Sequence, residues 1–193
     1  SAHKIGGAAG SGAVIAPGLG SGTGFILKGT LFGGGQEQGY RPGTENIAGI
    51  AGFGAAAKVA LSELNNFAKL VIFRDAIDKS VKAIEPKSVV FGADVDRLPN
   101  TTCLTMPGID SDVQVMAFDL AGIGVSAGSA CSSGKAKAST VLKAMKVSDK
   151  NARSVVRVSL GWPSGESDVE AFIIAWQDLY TRTSDRKINL SAA

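Results

Sequence analysis

The sequence predicts an α/β or α+β fold. Short apolar runs of strand type alternate with longer segments whose apolar residues recur every three to four positions. The chain has 193 residues, 45% of them hydrophobic and 19% charged. That is enough apolar material for a core and too little charge for a disordered chain. A third observation divides the chain. Of 25 glycines, 17 fall in residues 1–54, but only five charged residues do. No collagen-like period links these glycines, so they serve turns and close backbone approaches.

The elements follow in order. Residues 13–16 (AVIA) and 25–27 (FIL) read as two strands joined by the glycine-rich turn at 18–24. Residues 33–46 (GGGQEQGYRPGTEN) form a polar loop. A helix follows to about Leu64, with Ile47, Ile50, Ala51, Gly54 and Ala55 on one face. A second helix places Phe67, Leu70, Val71, Ile77, Val81 and Ile84 on one side, and Pro86 ends it. Residues 89–91 and 101–106 are strand-like, with a turn at 96–100. Val113, Met116, Ala117 and Leu120 give another helix. Residues 124–135 (GVSAGSACSSGK) are a loop of tiny side chains, 140–145 a short helix, and 154–160 a strand. The last helix carries Val169, Phe172, Ile173, Trp176 and Tyr180 on one stripe, with Ser167 and Glu170 as a capping box. Beyond Arg182 the polar tail is expected to fray.

Several functional classes fall away. The net charge of +3 is modest and no long basic run exists, so nucleic acid is not implied. No apolar stretch is long enough for a membrane helix, and no signal peptide is visible. Two cysteines, Cys103 and Cys131, make no disulfide scaffold, and with one histidine and no CxxC no metal site is expected. A cytoplasmic protein is the expectation.

The chemistry-bearing residues each have a plain reading beside the functional one. Residues 18–24 (GLGSGTG) look like a phosphate loop, but a strand-like segment follows where a helix is needed, so a hairpin turn is expected. Lys4, beside Ile5-Gly6-Gly7, could be desolvated into a nucleophile, although alone it reads as a surface lysine. Cys131 lies among small and polar residues, with Lys135 and Lys137 near enough in sequence to favour a thiolate. That reads as a reactive thiol, whereas Cys103 in TTCLTM reads as a core filler. Arg157 sits mid-strand in VVRVSLG. It either clamps a carboxylate, enters an internal ion pair, or faces solvent. Arg41 and Thr44 could serve a phosphate or simply belong to a loop.

Taken together, these segments resemble one family in order and spacing. Ser1-Ala2-His3-Lys4-Ile5-Gly6-Gly7 resembles the lysine motif of fold-type I, class V aminotransferase-like pyridoxal phosphate enzymes. Residues 33–46 resemble their second signature. Gly128-Ser129-Ala130-Cys131-Ser132-Ser133-Gly134 resembles the active cysteine loop of NifS/IscS-type cysteine desulfurases, and Arg157-Val158-Ser159-Leu160-Gly161 their substrate-carboxylate strand.

The resemblance implies roles. Lys4 holds pyridoxal 5'-phosphate as a Schiff base and shuttles protons. Ser1 and His3 contact the cofactor phosphate. Thr44 reaches the phosphate of the partner subunit's cofactor, which implies a homodimer. Arg157 binds the carboxylate of L-cysteine. Cys131 takes the substrate sulfur as a persulfide, leaves alanine, and passes the sulfur to a protein acceptor such as an iron–sulfur scaffold. The implied domains are residues 1–64, the end of the large cofactor domain, and residues 65–193, a small α+β domain carrying the cysteine loop. Related alternatives are a selenocysteine lyase and an inactive dimerisation or interaction module.

The departures are local, apart from length. Gly7-Ala8-Ala9-Gly10 stands where the family has Gly-Pro-Lys-Gly, and Gly161-Trp162-Pro163 is atypical. The family is about twice as long. The expectation is therefore a C-terminal half, inactive alone, lacking the aromatic residue that stacks on the cofactor and the acid that pairs its ring nitrogen.

Overall fold

The computed structural model describes residues 1–17, 29–127 and 139–191, with side chains as far as residue 183. It divides into two compact units, Ser1–Leu64 and Asn65–Ala193.

The second unit is built on a three-stranded antiparallel sheet: β1 (Thr101–Thr105), β2 (Ser126–Ala127) and β3 (Val155–Ser159), in the order β1-β3-β2. Thr101 pairs with Ser159, Cys103 with Arg157, and Ser126 with Arg157. Side chains alternate across a strand. One face therefore carries Leu104, Val156 and Val158, all buried, and the other carries Cys103, Ser126 and Arg157, all half-buried. Residues 89–91, expected as a strand, reach only an isolated bridge from Val90 to Leu104.

Helices cover the buried face. The helix expected from Phe67 to Ile84 breaks at Leu70 into α2 (Leu64–Lys69) and α3 (Val71–Ile84). Leu70, Ile77 and Val81 from its expected stripe are buried. Glu85 turns extended before Pro86, because a proline ring disfavours helical geometry in the residue before it. Next come α4 (Ser111–Leu120), α5 (Thr140–Ala144), α6 (Asp149–Ala152) and α7 (Glu166–Ser191). Ser139 caps α5 by accepting from Leu142 N–H, and Ser148 caps α6 by accepting from Asn151 N–H. The core gathers Ile77, Val81, Leu104, Met106, Phe118, Val156, Phe172 and Trp176. Phe118 and Phe172 stack with ring centroids 5.1 Å apart.

Two expectations for these helices are corrected, and the buried face of α4 is not its most apolar one. On α4 the buried residues are Gln114 and Phe118, while Val113, Met116 and Leu120 are exposed. Gln114 wins the inward position because its Nε2 donates to Ile109 O and Ser154 O, each at 2.8 Å. At the start of α7 the Asp168 carboxylate accepts from Gly165 N–H at 2.9 Å, so the cap lies earlier than Ser167 and Glu170 suggest. The helix also continues to Ser191 instead of ending near Arg182.

The first unit has little regular structure. A 3-10 turn spans Ala2–Ile5, another spans Gln36–Gly39, and α1 covers Ile47–Ser62. Asn46 caps α1, its Oδ1 accepting from Gly49 N–H at 3.1 Å. Residues 13–16 form no strand, and Val14 and Ile15 are exposed. The rest of the expected hairpin, residues 18–27, lies outside the described residues. The expected apolar face of α1 is not buried either. Ile47, Ile50, Val59 and Leu61 are exposed, and only Gly49 of this helix is buried. The helix is apolar on all sides, so its sequence selects no one face.

Candidate active site

In the first unit, Ser1, His3 and Lys4 share one turn. Ala2 anchors it, with no exposed surface. Ala2 N–H donates to Ser11 O at 3.0 Å, Lys4 N–H to Ser1 O at 3.3 Å, and Gly7 N–H to Ala2 O at 2.9 Å. Gly6 closes the turn at φ +88°, a conformation open to glycine at little cost. At Gly7 a Cβ would lie 3.0 Å from Ala2 Cβ and 3.2 Å from Ala2 O, so a larger residue there would press on the turn. Ser11 Oγ ties the turn to α1 by donating to Gly49 O at 3.1 Å. With the backbone held, the side chains of Ser1, His3 and Lys4 project to the surface. Lys4 makes no ion pair among the described residues.

Thr44 lies on the loop before α1 and is also exposed. That loop is ordered by Arg41, whose guanidinium donates to Gly43 O at 2.9 Å and to Thr44 O at 3.2 Å. Arg41, weighed above as a phosphate ligand, is here a clasp for the loop. Gly43 N–H adds a bond to Gln36 Oε1 at 3.3 Å, leaving the Thr44 hydroxyl free of protein partners among the described residues.

In the second unit, Arg157 stands in the central strand with neighbours on both sides. Its terminal nitrogen donates to Ser126 Oγ at 3.4 Å. No carboxylate pairs with it among the described residues. Arg97, which reaches Thr102 of β1, is by contrast committed to structure. It pairs with Asp78 at 2.6 Å, and Asp78 also accepts from Thr102 Oγ1 at 2.5 Å. A half-buried guanidinium without an acidic partner can take a planar carboxylate with two parallel bonds.

Cys103 departs from its expected role. It is not a core residue but shares the half-open face with Arg157. Burial pushes its thiol up from the ordinary value, and the charge of Arg157 pulls part of the way back. The thiol is thus held neutral. Cys131 and the loop around it, with Lys135 and Lys137, lie outside the described residues. The residue that sequence reasoning missed is Ser126. Its partnership with Arg157 depends on strand register, which no local pattern announces.

The described residues contain no group of three His, Cys, Asp or Glu side chains placed to hold a metal ion. Among them, no single helix is long and apolar enough to cross a membrane.

Residues 1–172 match the family model described as aminotransferase class-V. The chain is 39% identical over 178 residues to a cysteine desulfurase of Cereibacter sphaeroides, covering 90% of this chain and 43% of that protein. It is 37% identical over 171 residues to an IscS-like cysteine desulfurase of Mycobacterium tuberculosis, covering 88% and 42%. Among solved structures, a NifS-like protein from Rickettsia africae superposes with a TM-score of 0.72 at 35% identity, over 81% of this chain and 41% of that one. The chain thus spans less than half the length of the curated relatives it matches.

Proposed function

The chain belongs to the class-V aminotransferase family, and from that premise we propose that it carries the lysine, carboxylate-binding and sulfur-accepting parts of a pyridoxal phosphate-dependent cysteine desulfurase. The observation that carries this reading is the likeness to proteins named cysteine desulfurase along about nine-tenths of the chain. The geometry supports it in two places. One is a surface lysine in the same hydrogen-bonded turn as a serine and a histidine. The other is a half-buried arginine with no acidic partner among the described residues.

The donor set fits the lysine and phosphate end of a pyridoxal phosphate site. Lys4 Nζ is the amine that would hold the cofactor and carry protons to and from the substrate. The Ser1 hydroxyl and His3 imidazole can donate to the phosphate. The Thr44 hydroxyl would serve the phosphate of a second copy, which makes a homodimer part of the proposal. When bound, pyridoxal phosphate supplies an electron sink for bond-breaking at the substrate carbon. Residues 1–64 are then the end of the cofactor domain, and residues 65–193 the small domain.

Arg157 orients L-cysteine through its carboxylate. Cys131 accepts the sulfur. A bond forms between the Cys131 sulfur and the substrate sulfur, the substrate carbon–sulfur bond breaks, and the carbon takes a proton to give alanine. The persulfide on Cys131 is then available to a protein sulfur acceptor.

The cofactor assignment is tested by borohydride reduction of the holoenzyme formed by the full-length gene product, followed by peptide mass mapping. The phosphopyridoxyl group is expected on Lys4, and Lys4→Ala is expected to lose it. Finding it on another lysine contradicts the proposal.

A further inference from the structure

Arg157 lies between two neutral neighbours in one row across the sheet, Cys103 on β1 and Ser126 on β2. All three are half-buried on the same face. The row contains one cation and no anion. The Cys103 thiol stays protonated through burial, so it does not neutralise the guanidinium. Ser126 Oγ accepts from one terminal nitrogen of Arg157 at 3.4 Å.

A guanidinium has five N–H donors in a rigid fork, and a bidentate carboxylate needs two of them in one plane. An arginine side chain free to change rotamer loses that freedom on binding, which weakens the complex. A hydroxyl is suited to prevent this. It accepts one bond and fixes the fork, yet carries no charge to compete with the substrate. A carboxylate at the same position would fix the fork and occupy it.

We infer that Ser126 is a positioning residue for Arg157, holding the guanidinium so that its remaining donors face the carboxylate of an α-amino acid substrate. This rests on the reading of Arg157 as the carboxylate anchor. Ser126 touches no reacting atom and acts through Arg157 alone. Its contribution belongs to binding and not to the bond-breaking steps.

The test uses steady-state kinetics of the full-length holoenzyme with L-cysteine and with L-cysteine methyl ester, which lacks the carboxylate charge. Ser126→Ala is expected to raise KM for L-cysteine about three- to tenfold with kcat within about twofold, the pattern of a lost uniform binding interaction. KM for the ester is expected to stay unchanged. Ser126→Thr keeps the hydroxyl and is expected to keep KM within about twofold of the parent. Ser126→Asp, placing an anion against the guanidinium, is expected to raise KM more than Ser126→Ala does. An unchanged KM in Ser126→Ala, or an equal rise for the acid and the ester, overturns the inference. Arg157→Ala separates the two levels. If it raises KM while Ser126→Ala does not, only the positioning role is wrong. If neither raises KM, the carboxylate reading of Arg157 is wrong as well.

Discussion

Gln114 has no exposed surface, and its amide nitrogen bridges Ile109 O and Ser154 O. It joins the start of α4 to the entry of β3, the strand that carries Arg157. Gln114→Met keeps the volume but leaves Ile109 O without that donor, because methionine offers no N–H. The expected loss is about 2 kcal/mol in urea unfolding, the range for an unsatisfied buried polar group. A loss below about 0.5 kcal/mol would mean that the bridge adds little beyond packing. Cys103 gives a pH-dependent signature. Its folded-state pKa is raised, so the folded chain retains a proton that the unfolded chain releases. Stability from this group is therefore full below the ordinary thiol pKa of about 8.5, and is lost as pH rises through the higher folded value. Thermal melts of the parent chain are expected to lose more stability between pH 8 and pH 10, as about one proton's worth of linkage, than melts of Cys103→Ala. Identical slopes contradict the raised pKa.

At the scale of elements, the sequence is most legible where one side chain type dominates a face. The strands β1 and β3 and the helices α1, α4, α5 and α7 all stand close to their expected positions. The stripe Val169, Phe172 and Trp176 of α7 is buried as the 3.6-residue period requires. Trp176 has no exposed surface and stacks on Tyr180 at 5.3 Å. Trp176→Ala is expected to destabilise the second unit by about 3–5 kcal/mol in chemical denaturation, by loss of transfer energy and an unfilled cavity. A loss under about 1 kcal/mol would show that α7 is not integral to this core. The face of α4 was not legible, because hydrophobicity ranks Val113 and Met116 above Gln114, while hydrogen bonding to two backbone carbonyls decides the opposite. The candidate residues Ser1, His3, Lys4, Thr44 and Arg157 came from motifs read together, because taken alone Lys4 reads as a surface lysine and Thr44 as a loop residue. The company they keep was not legible, since Ser126 and Cys103 meet Arg157 through a register fixed by tertiary pairing.

At the scale of the whole chain, the two units differ in what holds them. The second buries an extended core around Trp176, Phe118 and Leu104. In the first, only Ala2 and Gly49 among the described residues are fully buried, and α1 exposes Ile47, Val59 and Leu61. Few buried apolar contacts mean low local stability. In hydrogen exchange of this 193-residue chain, amides of α3, β1, β3 and α7 are expected to be protected well beyond those of α1, and equal protection would contradict this contrast. The glycine-rich first quarter accordingly forms an exposed turn and loop, while the charged, better-packed remainder supplies the scaffold for Arg157. The most direct measurement of the proposed chemistry is a single turnover of the full-length holoenzyme with L-cysteine, read by mass spectrometry for alanine and for the position of the transferred sulfur. The account predicts one alanine per active site and a persulfide on Cys131, with both lost in Cys131→Ala. Alanine formed without a persulfide on Cys131, or a persulfide that persists on Cys103 in Cys131→Ala, would contradict it.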